Sequence, residues 1–285
     1  MAPELRWGER TYLMGIVNVT PDSFSGDGLV ESGLEHGEVI AAALAQGRAM
    51  VAGGAHILDV GAESTRPRQA YGEHPEVDAT TEAELAVPVV RALVANLGDR
   101  ARISIDTSKG EVAAAAVDAG ATIVNDVWAA RRDPRTAEVA ARSGSHLVLM
   151  HNRDGGSGYP GGVFDAVVDW LREAVDAAIA GGVARDRLIV DPGIGFGGKA
   201  TEDNLELLHR LAEFKAALGG LPVLVGTSRK RFLGELLDGA GPHERIEGSA
   251  ATAALAVMAG ADIVRSHDVR PIGRTLRVAD AVVRR

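Results

Sequence analysis

The sequence predicts a closed (β/α)8 barrel that forms a single domain. Short, continuously apolar segments alternate with Ala-rich amphipathic segments about eight times along the chain. A strand that is apolar at every position is typical of a parallel sheet buried on both faces, and the segments in between have the length and composition of helices. Strand–helix units repeated in this way within 285 residues favour a barrel over an open doubly wound sheet. The GxGxxG fingerprint of a dinucleotide fold does not follow the first strand.

Each predicted strand ends at a polar residue or at a glycine. In chain order the strands are Tyr12–Val17, Ile57–Leu58, Ile103–Ile105, Thr122–Val124, Leu147–Met150, Leu188–Val190, Val223–Val225 and Ile263–Val264. The predicted helices are Glu38–Ala52, Thr81–Leu97, Gly110–Ala119, Arg135–Ser143, Asp165–Ala180, Glu202–Leu218, Glu244–Ala259 and Pro271–Val283. The domain is expected to span residues 1–285, with residues 1–10 as a short N-terminal extension. The long connections after Asn18 and after Asp59 are expected to build the active site.

Composition narrows the classes of function. The formal net charge is −9, which argues against a general nucleic-acid binder, so an anionic substrate must be met by local cations. The absence of cysteine excludes disulfides and thiolate metal sites. The charged N-terminal residues do not resemble a signal peptide, and no apolar run reaches the ~18 residues that a membrane span requires. We therefore expect a cytoplasmic protein without a nucleic-acid or membrane partner.

Seven of the eight predicted strands are followed by a polar residue, and in a barrel all strand ends surround one mouth: Asn18, Asp59, Asp106, Asn125, His151, Asp191 and Arg265. Two carboxylates and a carboxamide among them are singled out as candidates for a binding site. They are Asp106, Asn125 and Asp191. Taken singly, Asp106 is better explained as a helix cap, and Asn125 and Asp191 as turn residues. Their convergence favours a binding site, because buried carboxylates and carboxamides are costly unless a ligand satisfies them.

The chemistry of these side chains suggests two kinds of ligand group. The two carboxylates and the carboxamide suit the N–H and amine edge of a flat heterocycle, and Lys230 can donate to a carbonyl on its opposite edge. Arg66, Arg265 and His267 form a cationic set suited to phosphate, although either arginine is as readily explained by a salt bridge. No His cluster or HExxH motif is present, so a metal would be Mg²⁺ held by oxygen atoms.

At these positions the sequence resembles the dihydropteroate synthase family. The matching motifs, in the order of that family, are MGIVNVTPDSF at Met14–Phe24, ESTRP at Glu63–Pro67, SIDT at Ser104–Thr107, NDV at Asn125–Val127, DPGIGF at Asp191–Phe196, GTSRKRF at Gly226–Phe232 and RSHDV at Arg265–Val269. They extend over roughly residues 12 to 280. A single motif would be weak evidence, whereas seven in order are specific.

The resemblance implies a transferase of folate biosynthesis. In that reaction 6-hydroxymethyl-7,8-dihydropterin pyrophosphate condenses with p-aminobenzoate, through a pterin methylene cation, to give 7,8-dihydropteroate and pyrophosphate. The resemblance implies that the pterin is bound by Asp106, Asn125, Asp191 and Lys230, and that the pyrophosphate is bound by Arg66, Arg265 and His267. It implies that Mg²⁺ is bound by Asn18. It also implies a p-aminobenzoate site formed by Phe24, Thr65, Pro67, Phe196 and Ser228. Asp106, Lys230, Arg265 and His267 are the expected catalytic residues, and the resemblance also implies a homodimer and sensitivity to sulfonamides.

Three positions depart from the family pattern. Arg68 replaces the usual glycine after ESTRP, and two glycines precede Lys199 where one small residue is commoner. Trp128 stands in a segment that reads DVWAA where many relatives have DVSGG, and either covers the pterin edge or packs.

Two alternatives of other classes remain. A pterin-dependent methyltransferase would also hold a pterin with Asp and Asn, but it has no need of the NVTPDSF, ESTRP and SRK segments. A non-catalytic pterin-binding protein would be expected to lose Arg66, Arg265 or His267, all of which are present.

Overall fold

Eight parallel strands form the barrel in the described part of the chain. The structure is a computed structural model and describes residues 4–19, 36–63, 77–154 and 158–284. The strands are β1 Tyr12–Asn18, β2 Ile57–Gly61, β3 Arg102–Asp106, β4 Ile123–Asp126, β5 His146–Met150, β6 Leu188–Asp191, β7 Leu224–Val225 and β8 Ile263–Ser266. They pair in the order β6-β5-β4-β3-β2-β1-β8-β7, and a parallel bridge between Val190 and Val223 joins the two ends of this order. The predicted barrel is therefore confirmed.

Helices follow the strands and form the outer layer. Within the described ranges they are α1 His36–Ala52, α2 Ala79–Leu97, α3 Gly110–Asp118, α4 Arg135–Ser143, α5 Val163–Ala180, α6 Thr201–His209, α7 Leu211–Ala217, α8 Arg231–Leu236, α9 Ile246–Met258 and α10 Val269–Val283. The helix predicted over Glu202–Leu218 is in fact two, because the backbone of Arg210 leaves helical geometry at φ −98° and ψ 20°. Sequence reasoning missed α8, whose six residues are too few for a helical period. No described helix is long and apolar enough to cross a membrane.

In every strand except β3, alternate residues pack into two separate clusters. Outward-facing side chains such as Leu13, Leu58 and Val264 join the layer between barrel and helices. Inward-facing side chains form a second cluster, which we call the floor cluster: Tyr12, Met14, Ile57, Ile123, Val148, Ile189, Leu224 and Ile263. Burial on both faces explains why the strands are apolar at nearly every position.

The N-terminal extension contributes to this end of the barrel. Leu5 and Trp7 pack against the floor cluster. Trp7 meets Tyr12 and His146 edge-to-face, with ring centroids 5.8 and 5.9 Å apart. Aromatic pairs in this geometry contribute beyond their buried area, so the extension supports the floor.

The inward-facing pattern also places the polar residues. Side chains of a strand alternate with a period of two, so residues two positions beyond the floor isoleucines face the same interior. On β2, β4, β6 and β8 these residues are Asp59, Asn125, Asp191 and Arg265. We call this set the mouth layer. Barrel interiors are filled by such layers of four side chains from alternate strands, and active sites lie at this carboxyl end.

Candidate active site

Arg265 is the centre of a buried ion-pair network in the mouth layer. Its Nε donates to Asp59 Oδ2 at 2.7 Å, and its Nη2 donates to Asp106 Oδ2 at 2.7 Å. Asn125 Nδ2 donates to the same Asp59 oxygen at 2.9 Å. The salt bridge considered from the sequence therefore exists, and it lies inside the site, so the two explanations of Arg265 are compatible.

The surroundings of Asp106 disfavour the ionised form of its carboxyl group. Burial raises its pKa, Arg265 opposes that rise, and the neighbouring Asp59 adds to it. Its second oxygen, Oδ1, is buried and has no hydrogen-bond partner among the described residues. An unpaired buried oxygen of this kind is expensive unless a ligand donates to it. Helix α3, which follows Asp106, has Lys109 at its N-cap position and no side-chain cap, so capping does not explain this aspartate.

Asp191 combines a turn role with a place in the site. Its Oδ1 accepts a hydrogen bond from Gly193 N at 2.7 Å, as the turn interpretation expects. Gly193 has φ +67°, and a Cβ there would come 2.0 Å from the carbonyl oxygen of His151, so glycine is required. Burial raises the pKa of Asp191 to about 6, against the opposing effects of the Gly193 N–H and of Lys230.

Lys230 and Phe196 face each other across the next turn. The Lys230 ammonium lies 3.7 Å from the centroid of the Phe196 ring, a cation–π contact. A Cβ at Gly195 would approach Lys230 Cδ to 2.8 Å, so this glycine leaves room for the lysine stem. The DPGIGF segment thus carries the pocket wall and the space for its cation.

Ser228 and His267 are brought together by the ends of β7 and β8. Ser228 Oγ lies 3.1 Å from His267 Nδ1 and accepts a hydrogen bond from His267 N at 3.2 Å. Their loops are joined by Arg229 and Asp268, whose closest atoms are 2.7 Å apart. The sequence interpretation placed Ser228 and His267 on different substrates, whereas their side chains are neighbours.

A cavity opens at the mouth. The residues that line it are Ile16, Asn125, Val127, Met150, Asp191, Ile194, Phe196, Gly226, Ser228, Lys230, Arg265 and His267. Asp106 reaches the cavity through its ion pair with Arg265, since it is not one of the lining residues. Most of the site residues expected from the sequence thus converge on one pocket with polar and apolar walls, as in small-molecule sites.

Some expected site residues cannot be compared with the structure. Phe24, Thr65, Arg66 and Pro67 lie outside the described residues. Asn18 is described at the end of β1, half-buried and paired in register with Gly61. Among the described residues there is no group of three or more acidic, His or Cys side chains that could hold a metal by itself.

Two residues left open by the sequence pack outside the cavity. Lys199 Nζ lies 2.8 Å from His151 Nδ1 and donates to the carbonyl oxygen of Phe196 at 3.1 Å, and burial lowers its pKa well below the ordinary value. The ring of Trp128 lies 3.5 Å from the guanidinium carbon of Arg132. Lys199 thus holds the backbone of Phe196, which lines the pocket, while Trp128 packs against Arg132 in its own loop.

Asp59 was missed as a candidate site residue. It is completely buried and bonded to two expected site residues. The available signal was spacing: Asp59 follows Ile57 by two positions, as Asn125 follows Ile123 and as Asp191 follows Ile189.

Comparison with known proteins agrees with this geometry. Residues 14–267 match the model of a family described as pterin binding enzyme. The dihydropteroate synthase of Bacillus subtilis is 43% identical over 279 residues, covering 98% of this chain and 91% of the relative. The Xanthomonas albilineans dihydropteroate synthase, solved with 4-aminobenzoic acid, has a TM-score of 0.85 at 40% identity, with 96% of this chain and 94% of that chain covered.

A further solved structure extends the comparison to an inhibitor. The Yersinia pestis dihydropteroate synthase in complex with a sulfonamide drug has a TM-score of 0.86 at 34% identity, with 96% of this chain and 95% of that chain covered. The similarity spans nearly the whole chain in both kinds of comparison, and the motifs that lie within the described residues are found at the mouth of the barrel. The chain therefore belongs to the pterin binding enzymes and, within them, to the dihydropteroate synthase family.

Proposed function

We propose that this chain condenses 6-hydroxymethyl-7,8-dihydropterin pyrophosphate with p-aminobenzoate at the mouth of the barrel. The observation that carries the proposal is the convergence of Asn125, Asp191, Lys230 and Arg265 on one cavity. The carboxylate and carboxamide oxygens offer acceptors to the N–H edge of a pterin, while Lys230 offers a donor to its carbonyl. Family membership supports this substrate over the other pterin ligands considered from the sequence.

The cationic side of the cavity is proposed to hold the leaving group. Arg265 and His267 both line it, and Arg66 would add a third cation from the second loop. Guanidinium and phosphate form strong charge-assisted hydrogen bonds, and stabilising the charge that develops on pyrophosphate accelerates its departure. Asp106, which pairs with Arg265 at the wall of the cavity and keeps an unpaired Oδ1 among the described residues, is proposed to stabilise the positive charge that remains on the pterin methylene.

The bond changes need no nucleophilic side chain. The carbon–oxygen bond to pyrophosphate breaks, and the amine nitrogen of p-aminobenzoate forms the new bond to the methylene carbon. The nitrogen then loses a proton to water or to the released pyrophosphate. Phe24, Thr65, Pro67, Phe196 and Ser228 are proposed to form the p-aminobenzoate site, where sulfonamides would compete.

Mg²⁺ fits this scheme as a partner of the pyrophosphate. Mg²⁺ takes oxygen ligands and usually combines one or two protein ligands with phosphate oxygens and water. Asn18, with its carboxamide at the end of β1, is the proposed protein ligand. When bound, Mg²⁺ would supply charge neutralisation of the pyrophosphate.

The assembly is proposed to be a homodimer acting in the cytoplasm. On α9, Leu255 and Met258 are 59% and 66% exposed, and on the adjacent α10, Val278 and Val282 are 68% and 62% exposed. Large apolar side chains shared by two neighbouring helices are typical of a surface that a partner covers. A second copy of the chain is the proposed partner, and the cytoplasmic location remains a prediction from the sequence.

The decisive experiment is a product assay. Purified protein is incubated with the pterin pyrophosphate, p-aminobenzoate and Mg²⁺, and 7,8-dihydropteroate and pyrophosphate are quantified by chromatography. We expect equimolar formation of both products. Binding of the pterin without either product would contradict the synthase proposal and favour a non-catalytic pterin-binding protein. Transfer of a methyl group from a methylated pterin would favour the methyltransferase alternative.

A further inference from the structure

Asp59 is a buried carboxylate for which the proposed chemistry gives no role. It is the third residue of β2 and is completely buried. Its Oδ2 accepts hydrogen bonds from both Arg265 Nε and Asn125 Nδ2, while its Oδ1 has no partner among the described residues. A buried carboxylate is costly, so its retention beneath the cavity calls for a function.

We propose that Asp59 is a positioning residue that fixes the orientation of Arg265 and of Asn125 toward the substrate. The inference rests on the proposed function, in which Arg265 binds the pyrophosphate and Asn125 binds the pterin. Neither contact requires Asp59 to touch the substrate itself.

Arg265 is held at both ends of its guanidinium group. Asp59 holds its Nε, at the base of the guanidinium, whereas Asp106 holds Nη2 at the far end. A phosphate that recruits the Nη groups competes with Asp106 and leaves the bond to Asp59 intact. Arg265 therefore stays oriented while its partner at the far end changes, which frees Asp106 to face the pterin.

Asp59 also orients the carboxamide of Asn125. A carboxylate only accepts hydrogen bonds. The group of Asn125 that faces Asp59 is therefore its amide NH2 and not its carbonyl oxygen. With the amine held at 2.9 Å, the carbonyl oxygen is directed away from Asp59. Asn125 lines the cavity, so Asp59 determines that it presents an acceptor to a ligand N–H.

Asp59 also acts electrostatically on Asp106. Asp59 and Asp106 share a single guanidinium, so Arg265 is not available to neutralise Asp106 alone. The charge of Asp59 acts to raise the pKa of Asp106, and Arg265 acts to lower it. Removing the charge of Asp59 would strengthen the ion pair between Arg265 and Asp106. Both groups would then be less available to bind the substrate.

The chain offers a matched control for packing. Ser104 is the direct neighbour of Asp59 in the β2–β3 register and is also completely buried. Its hydroxyl has no hydrogen-bond partner among the described residues. Ser104→Ala therefore perturbs the same part of the barrel interior without removing a hydrogen bond to Arg265 or Asn125.

The test is a double-mutant cycle of Asp59→Asn and Arg265→Ala, with binding measured by calorimetry. The two ligands are the pterin pyrophosphate and the corresponding pterin alcohol. We expect Asp59→Asn alone to raise the Kd of the pterin pyrophosphate by about 10-fold and the Kd of the pterin alcohol by about 3-fold. In the Arg265→Ala background, Asp59→Asn should add less than about 3-fold to the Kd of the pyrophosphate. Ser104→Ala should leave both affinities and kcat unchanged.

Each other result has a definite meaning. Multiplicative effects of the two substitutions, or equal behaviour of Asp59→Asn and Ser104→Ala, would overturn the positioning role while leaving the proposed function in place. An Arg265→Ala protein that binds the pyrophosphate as the unaltered protein does would overturn both. If Asp59→Asn does not yield folded protein by circular dichroism, Asp59→Ser, which leaves room for water, carries the same expectation and the same contradiction.

Discussion

The floor and the mouth of the barrel are built on the same four strands from opposite kinds of residue. At the floor, β2, β4, β6 and β8 contribute the fully buried isoleucines Ile57, Ile123, Ile189 and Ile263. Two residues further along, the same strands contribute Asp59, Asn125, Asp191 and Arg265. The backbone places both layers equally well, so the choice of side chain alone separates a region of stability from a region of chemistry.

The two layers also differ in whether their buried atoms have favourable partners. The floor isoleucines gain from burial, and each contributes roughly 1.5–3 kcal/mol relative to exposure. At the mouth, Asp59 Oδ1 and Asp106 Oδ1 are buried without partners among the described residues, which costs on the order of 1–3 kcal/mol for each group. The mouth is thus arranged for a ligand at the expense of the free protein, which the floor can offset.

The largest effect is expected for Asp106→Asn at the mouth. The amide keeps the shape and one acceptor but loses the charge that would stabilise the pterin methylene cation. We expect kcat to fall on the order of 100-fold, as for loss of one electrostatic stabiliser, and the Kd of the pterin alcohol to change far less. Because a costly buried carboxylate is removed, the free energy of unfolding should stay equal or rise. Steady-state kinetics, calorimetry and urea unfolding measure the three quantities, and an equal loss in kcat and pterin affinity would argue against the cation role.

The reciprocal change at the floor is Ile189→Ala, two residues before Asp191 on β6. The substitution removes buried methyl groups and leaves a cavity, so the free energy of unfolding should fall by about 2–5 kcal/mol. At temperatures where the variant stays folded, kcat/KM should remain within about 3-fold of the unaltered protein, because the mouth layer keeps its own contacts. Urea unfolding and kinetics on the same preparation make the comparison. A large loss of activity at unchanged stability would show that the two ends are not separable.

The sequence predicted the barrel because its strands are buried on both faces and therefore read as continuous apolar segments. Asp59 stands at a predicted strand end, as Asp106, Asn125 and Asp191 do, but it lies in none of the motifs that carry the family resemblance and therefore received no role. In the structure β2 continues to Gly61, so Asp59 lies inside the strand. Its role depends on Arg265, 206 residues away, and this pairing has no local sequence signal.

Other differences have similarly physical causes. Ser228 and His267 come from neighbouring strands, and their hydrogen bond depends on the register of β7 against β8, which local patterns do not encode. The break between α6 and α7 at Arg210 interrupts a sequence with no glycine or proline. Motif resemblance therefore located the site, whereas the network within it required the fold.

The smallest expected effect is a pH dependence of opposite sign at the two ends. At the mouth, burial raises the pKa of Asp191 from its ordinary 3.8 to about 6, so between these values the folded protein binds more protons than the unfolded chain. The free energy of unfolding of the ligand-free protein should therefore decrease as the pH rises through this window, by up to about 1.4 kcal/mol per pH unit. Asp191→Asn should remove this slope.

At the floor, burial lowers the pKa of His146 from 6.5 to about 4, helped by Arg102 and Arg187. Here the unfolded chain binds more protons between those values, so the contribution of His146 to stability is present above pH 6.5 and is lost as the pH falls toward 4. His146→Gln should remove that loss. Urea unfolding of the unaltered protein and both variants, every half unit from about pH 4 to about pH 7, isolates each contribution by subtraction. If the two difference curves slope the same way, the assignment of opposite electrostatics to mouth and floor is wrong.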